Sequence, residues 1–460
     1  MKKILVANRG EIALRVFRSA RELGIATVAV YSEADAGSAH VAEADEALAI
    51  GPSAARDSYL DMAKVLNAAR RSGADSIHPG YGFLSENADF AARVGAAGLT
   101  WVGPTPDSIR AMGDKQRARA LAEAAGVPIV PGSGRILPGE TQGVEAAGAK
   151  VGYPLLVKAA AGGGGIGMRR VDDPAKLLET VAATQSMAGK AFGDGSVFLE
   201  RFVPKARHIE IQVFGFGEAG AVHLYERDCS LQRRFQKVIE ESPAPGLPES
   251  VRTRMTAAAV ALCRHTSYRG GGTVEFIVDA ESFEFFFLEM NTRIQVEHPV
   301  TEMVTGQDLV ALQLRFAAGK LHSLPQAEIC SHGHAIECRL YAENPAKQFM
   351  PSPGKLSVFS LPCRTPGLRV DSGYRQGDTV TPFYDPMIAK LIAHGATRDE
   401  ARIKAAQALR QLAVEGLHTN RSFLIACLEN DRFTAGDVYT GFIDEHRAAL
   451  VASAAEETCS

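Results

Sequence analysis

The chain has 460 residues, 46% apolar and 22% charged, and 50 basic side chains nearly balance 53 acidic ones for a formal net charge of −3. This is the make-up of a soluble globular protein of roughly two to four domains. It excludes a basic stripe for nucleic acid and a charged tail, and no apolar run approaches the roughly 18 residues that a membrane span needs. The seven cysteines are scattered without a CxxC pair and read as reduced thiols of a cytoplasmic protein. A strand starts within the first few residues, so no signal or transit peptide is expected.

Residues 1–113 alternate strand and helix: strand 4–7, helix 11–23, strand 26–30, helix 61–72, and a short strand at Ser76-Ile77. That order predicts a parallel α/β sheet with crossover helices. The first turn reads Asn8-Arg9-Gly10-Glu11, which lacks the GxGxxG of dinucleotide sites. The loop HPGYGFLSEN at 78–87 carries two glycines that let the backbone approach a ligand closely.

A helix begins at Gly113-Asp114-Lys115, a hinge is expected at 131–134, and a strand at 154–158 runs into the glycine stretch 162–165. Successive glycines turn their N–H groups toward one anion and form a phosphate-binding nest. Their ordering entropy is large, which predicts a lid that needs phosphate to settle. Lys158 just before the glycines and Lys115 upstream supply point charges for phosphate. No GK[ST] follows, so this is not a Walker loop. Strands are then expected at 197–203 and 208–213, the second placing His208 and Glu210 on one face.

Residues 273–278 and 285–288 read as the two strands of a hairpin turning near Ser282, which sets Glu275 opposite Glu289. Glu289 and Asn291 share a face by their spacing of two. Two paired carboxylates repel unless a cation lies between them, and hard oxygen ligands suit magnesium with phosphate completing its shell. Arg293, Gln295 and Glu297 follow at the same spacing, bringing a cation, an amide and a carboxylate beside the metal. A helix at 308–318, strands and turns from 333 to 390, a helix at 401–414 and a frayed tail after His446 complete the expected elements.

Taken together, HPGYGFLSEN (78–87), ERDCS (226–230), EMNTRIQVEHPVTE (289–302) and FYDPMIAKL (383–391) resemble the biotin carboxylases, the ATP-grasp component of acyl-CoA carboxylases. The resemblance covers nearly the whole chain. It implies an N-terminal parallel α/β (pre-ATP-grasp) domain at 1–113, an ATP-grasp domain at 114–330 with a mobile lid about 132–203, a C-terminal biotin carboxylase domain at 331–446 and a tail at 447–460. The implied reaction is MgATP-dependent carboxylation of biotin by bicarbonate through carboxyphosphate.

By the same resemblance Lys115, Lys158 and the backbone of Gly164 and Gly165 hold ATP phosphates. Glu200, Arg201, Phe202 and Val203 line the adenine and ribose pocket, and His208 touches the nucleotide. Glu275, Glu289 and Asn291 bind two Mg²⁺ or Mn²⁺ ions. Lys237, Arg293, Gln295 and Val296 hold bicarbonate, Glu297 is its general base, and Arg339 stabilises the biotin enolate. The chain departs from the family pattern at Ala161, at Ile166, and at Phe235, where a nucleotide-contacting histidine is usual.

No Met-Lys-Met biotinylation segment occurs. Biotin is therefore expected on a separate carrier protein, with carboxyltransferase subunits completing the reaction, and the resemblance implies a homodimer. Two other readings stay open: a related ATP-grasp carboxylase with a non-biotin acceptor, and an inactive regulatory paralogue.

Overall fold

The structure, a computed structural model, describes residues 1–160, 167–363 and 365–459, leaving aside the side chains of residues 192 and 456–459. It divides into two compact units. One comprises Met1–Val127, Arg207–Phe276 and Glu289–Ser460, the other Pro128–Ala206 and Ile277–Leu288.

The first unit opens with a parallel sheet of β1 (Lys3–Val6), β2 (Ala26–Ser32), β3 (Glu46–Gly51), β4 (Ser76–His78) and β5 (Thr100–Trp101), in the order β3-β2-β1-β4-β5. Its strands are near-continuous apolar runs because both faces are covered. Ile4 and Val6 pack with Ile12, Val16 and Phe17 of the helix Gly10–Glu22, whereas Leu5, Val28 and Val30 pack with Val65, Leu66 and Phe90 on the opposite side. Asp61 caps the helix Met62–Ser72 by accepting hydrogen bonds from the N–H groups of Ala63 and Lys64. The strand order reverses between β1 and β4. Such a switch point is where open α/β sheets present ligand-binding loops at the carboxyl ends of their strands. Here those loops are 8–10 and 78–87, tied together by the Asn8 amide donating to the carbonyls of Pro79 and Tyr81.

The second unit holds an antiparallel sheet of β6 (Leu155–Ala159), β7 (Met168–Val171) and β8 (Val197–Arg201), ordered β7-β6-β8. Strand alternation turns Leu155, Val157, Val197 and Leu199 to one face, where they meet Leu177 and Val181 of the helix Leu177–Phe192. Gly164 and Gly165 lie outside the described residues, as do Ala161 and Ile166.

An eight-stranded sheet follows, built from β9 (Ala206–Phe216), β10 (Ala221–Arg233), β11 (Gln236–Ser242), β12 (Arg269–Asp279), β13 (Phe285–Asn291), β14 (His334–Tyr341), β15 (Leu368–Ser372) and β16 (Met387–Gly395). Its order is β13-β12-β9-β10-β11-β14-β16-β15. On β14, Ile336, Cys338 and Leu340 enter a hydrophobic core with Leu391, Leu409, Phe423 and Phe442, which leaves Glu337 and Arg339 to the other face.

Several boundaries differ from expectation by a few residues, the strand expected at 273–278 being Arg269–Asp279 for example, and two differences lie near the C-terminus. The helix expected at 401–414 is Arg398–Gln411, because Thr397 caps it from the side chain and a strand, Ala413–Glu415, takes the following residues. The tail expected to fray is the second half of a helix, Phe442–Cys459. Phe442, Ile443, Leu450 and Ala454 anchor it in the core of the first unit.

Candidate active site

The site in the first unit is organised around the Lys237 ammonium on β11. Its three donors meet three carboxylates: Glu210 Oε2 at 2.6 Å, Glu275 Oε1 at 3.1 Å and Glu297 Oε1 at 2.6 Å. Burial works against the charge on Lys237, but the surrounding Cys229, Glu210, Glu275 and Glu297 hold its pKa well above the ordinary lysine value. Lys237 is thus a fixed positive charge.

Each carboxylate is held from its other side too. Burial opposes ionisation of Glu275, but Lys237 and His208 keep its pKa well below the usual carboxylate range. His208 Nε2 lies 3.0 Å from Glu275 Oε2, and this charge outweighs the burial that alone would lower the imidazole pKa. Glu297 is buried, yet Lys237, Arg339 and Arg227 depress its pKa, with Arg339 Nη2 donating to Glu297 Oε2 at 2.9 Å. Arg339 Nε also lies 2.5 Å from Glu240 Oε1.

The segment 292–297 runs between β13 and the helix His298–Thr305. It is not an extension of the strand, so the spacing of two does not set its side chains. Arg293 donates from Nε to Glu86 Oε2 at 3.0 Å and from Nη2 to Asn291 Oδ1 at 2.9 Å. Gln295 Nε2 donates to Glu275 Oε1 at 2.8 Å. The Val296 carbonyl accepts from the buried Lys390 ammonium at 2.7 Å. Among the described residues no ion pair joins Glu297 to Arg293; Glu297 pairs with Lys237 and Arg339 instead.

Glu289 differs from its neighbours. Among the described residues no hydrogen bond or ion pair reaches its carboxylate, and burial followed by the charge of Glu275 raises its pKa, with Lys115 pulling the other way. Asn291 Nδ2 donates to Glu275 Oε1 at 2.7 Å. Glu289, repelled by Glu275 and without a cation partner among the described residues, fits a ligand of a divalent cation of hard-oxygen preference, which Asn291 Oδ1 would join on release from Arg293.

In the second unit Lys158 Nζ lies 2.6 Å from Glu200 Oε1, joining β6 to β8. Arg201 Nε donates to the Val151 carbonyl at 3.4 Å. The Phe202 ring carries the Arg170 guanidinium 4.5 Å from its centroid, and Val203 follows in the turn after β8.

Three family models match most of the chain. Biotin carboxylase, N-terminal domain, matches residues 1–109; the carbamoyl-phosphate synthase L chain ATP binding domain matches 114–325; and the biotin carboxylase C-terminal domain matches 337–445. Biotin carboxylase 1 of Bacillus subtilis is 49% identical over 446 residues, covering 97% of this chain and 99% of the relative. This chain belongs to the biotin carboxylase family. Its fold class, an N-terminal parallel-sheet domain, an ATP-grasp domain and a C-terminal domain, is that of the family, and the family's enzymes are ATP-dependent ligases.

Two further biotin carboxylase relatives are informative. The methylcrotonoyl-CoA carboxylase subunit alpha of Arabidopsis thaliana is 49% identical over 455 residues, and this chain spans 61% of its length. The biotin carboxylase domain dimer of Hydrogenobacter thermophilus 2-oxoglutarate carboxylase, solved with MgADP, ADP and bicarbonate, superposes with a TM-score of 0.88 at 41% identity and covers 98% of both chains. Among the described residues no helix is long and apolar enough to cross a membrane.

Several partners of the family residues were not assigned from sequence. Glu86 lies inside HPGYGFLSEN and Arg227 inside ERDCS, so the motifs were visible but their contacts were not. Glu210 was paired with His208 alone, whereas its closest partners are Lys237 and Arg227. A charged residue in the middle of an otherwise buried strand, as Arg227 is in β10, is the signal that marks such a hub.

Proposed function

We propose that the chain carboxylates biotin borne by a carrier protein, using MgATP and bicarbonate, as the first half-reaction of an acyl-CoA carboxylase. The observation that carries this reading is the Lys237 cluster, which sets a fixed cation, a carboxylate and an arginine fork together among buried side chains. A bicarbonate oxygen attacks the γ-phosphorus of ATP, the bond to the β–γ bridging oxygen breaks, and ADP departs. The carboxyphosphate so formed splits into CO2 and phosphate; that phosphate takes the N–H proton of biotin, and the nitrogen of the resulting enolate bonds to the carbon of CO2.

In this reading Lys237, Arg293, Gln295 and the backbone of Val296 bind bicarbonate, and Glu297 accepts its proton. Glu297 is a poor base while Lys237 and Arg339 both hold it. It becomes competent when the negative charge of bicarbonate draws Lys237 away, so substrate entry itself raises its basicity. Arg339 then offers its two-donor fork to the enolate oxygen. Lys115, Lys158, Gly164, Gly165, Glu200, Arg201, Phe202, Val203 and His208 bind ATP, with residues 132–203 acting as the lid of an ATP-grasp domain at 114–330, between an N-terminal domain at 1–113 and a C-terminal domain at 331–446. Glu275, Glu289 and Asn291 hold two Mg²⁺ or Mn²⁺ ions, which neutralise phosphate oxygens.

The carrier, carboxyltransferase subunits and a second copy of the chain are its partners, in the cytoplasm. The dimer in the 2-oxoglutarate carboxylase domain and the naming of the Arabidopsis relative support this assembly. The test is ATP hydrolysis by the purified chain with Mg²⁺ and bicarbonate, with and without free biotin. Stimulation by biotin is expected. Bicarbonate-dependent hydrolysis that ignores biotin points to another carboxyl acceptor.

A further inference from the structure

Arg227 is completely buried, and all five of its N–H donors are used. Nε donates to Glu210 Oε1 at 2.6 Å; Nη1 donates to Gln212 Oε1 at 2.7 Å and Thr301 Oγ1 at 2.9 Å; Nη2 donates to Thr273 Oγ1 at 3.1 Å and Gln295 Oε1 at 2.6 Å. One side chain on β10 thereby gathers β9, β12, the helix His298–Thr305 and the segment 292–297.

We propose that Arg227 is a positioning residue for bicarbonate, acting through the side-chain amide of Gln295. This rests on the carboxylase reading above. A guanidinium has donors and no acceptor. The oxygen of the Gln295 amide must therefore face Arg227, and its NH₂ is turned to the opposite side. There it lies 2.8 Å from Glu275 Oε1 and 3.4 Å from Glu210 Oε2, among the groups around Lys237. Arg227, with the Glu275 carboxylate accepting from the other end, decides which end of the amide the substrate meets. With Oε1 outward, the amide would present an acceptor to an anion; with Nε2 outward, it presents donors.

Substitutions that loosen this hub should act on bicarbonate and spare ATP. Arg227→Lys keeps the charge but offers three donors from one point to five dispersed acceptors. Thr301→Val is the milder probe, removing one acceptor of Nη1 with little change of volume, and it keeps the test open if the lysine variant does not fold.

Steady-state ATP hydrolysis is measured against bicarbonate and against ATP for the parent chain and each variant, and again in a Gln295→Ala background. The KM for bicarbonate should rise about 10- to 100-fold in Arg227→Lys and less in Thr301→Val, with the KM for ATP unchanged. In the Gln295→Ala background both substitutions should add nothing further to the bicarbonate KM. Effects that multiply in that background, or that raise the two KM values alike, overturn the assignment and make Arg227 a purely structural residue. A parent chain without bicarbonate-dependent hydrolysis overturns the carboxylase reading first, and the positioning role falls with it.

Discussion

Glu240 on β11 and Glu337 on β14 stand directly opposite each other across the strand pair, both fully buried. Arg339 Nε reaches Glu240, but among the described residues no hydrogen bond satisfies either carboxyl group. Burial drives the Glu240 pKa up to about 7, with Arg339 pulling it down and Glu297 pushing it further up. Burial likewise holds Glu337 well above its ordinary value, Lys390 opposing and Glu240 adding. Like charges this close in a low-dielectric interior do not both ionise, so the pair retains a proton near neutrality.

That proton links stability to pH. An unfolded glutamate releases its proton near about 4.3, so between there and about 7 the folded chain binds more protons than the unfolded one. The stability this pair contributes is full below the lower value and is lost as pH rises through the upper one. Glu240→Gln is neutral throughout and escapes that loss. Thermal melts from about pH 5 to about pH 8 should separate in the variant's favour as pH rises, by an amount on the order of 3 kcal/mol. A gap that stays constant with pH means that Glu240 is ionised over the whole range.

The metal assignment turns on Glu289, the carboxylate that repels Glu275 and has no cation partner among the described residues. Glu289→Gln removes a ligand charge and also removes that repulsion. Bicarbonate-dependent ATP hydrolysis should fall about 100-fold, and the Mg²⁺ concentration for half-maximal rate should rise about tenfold. The metal-free variant should melt no lower than the parent chain. An unchanged Mg²⁺ dependence takes Glu289 out of the metal site.

The elements of this fold that were legible in the sequence are those that local periodicity specifies. Glu289 and Asn291 go together because a strand repeats every two residues, and the N-terminal sheet follows from the alternation of strand and helix along the chain. The partners of Glu275 were not legible, because Lys237 and His208 come from other strands and pairing order is not a local property. Arg293 and Glu86 lie 207 residues apart and meet where a loop after β4 comes to the end of β13. The terminal helix is not legible because its alanines and glutamates carry little amphipathic signal, and only the core that receives Leu450 and Ala454 shows why it stays folded.

Arg339 spans two carboxylates, with Nη2 on Glu297 and Nε beside Glu240. Arg339→Lys preserves the charge and loses the fork, since one ammonium cannot present two parallel donors to a planar anion. Biotin-stimulated hydrolysis should drop about 100-fold, whereas the bicarbonate-dependent rate without biotin should change by no more than about threefold. Equal loss of both rates moves the role of Arg339 from biotin to bicarbonate.

The hairpin between β10 and β11 turns through Arg234 and Phe235, both with positive φ, at +48° and +68°. Two-residue turns of this kind favour Asn-Gly, and a bulky aromatic residue there is strained. Phe235 is nonetheless 69% exposed, so it gains little from packing in this position. A histidine at this position could donate a hydrogen bond to a nucleotide; phenylalanine offers only its face. Phe235→His should lower the KM for ATP about three- to tenfold at unchanged kcat, a change of about 1 kcal/mol in binding. Phe235→Gly serves as the control, because it relieves the backbone strain by about 1 kcal/mol without supplying a ring. It should raise the melting temperature and leave the KM for ATP no better than that of the parent chain. If glycine lowers that KM as much as histidine does, turn strain limits ATP binding and the residue 235 side chain does not meet the nucleotide.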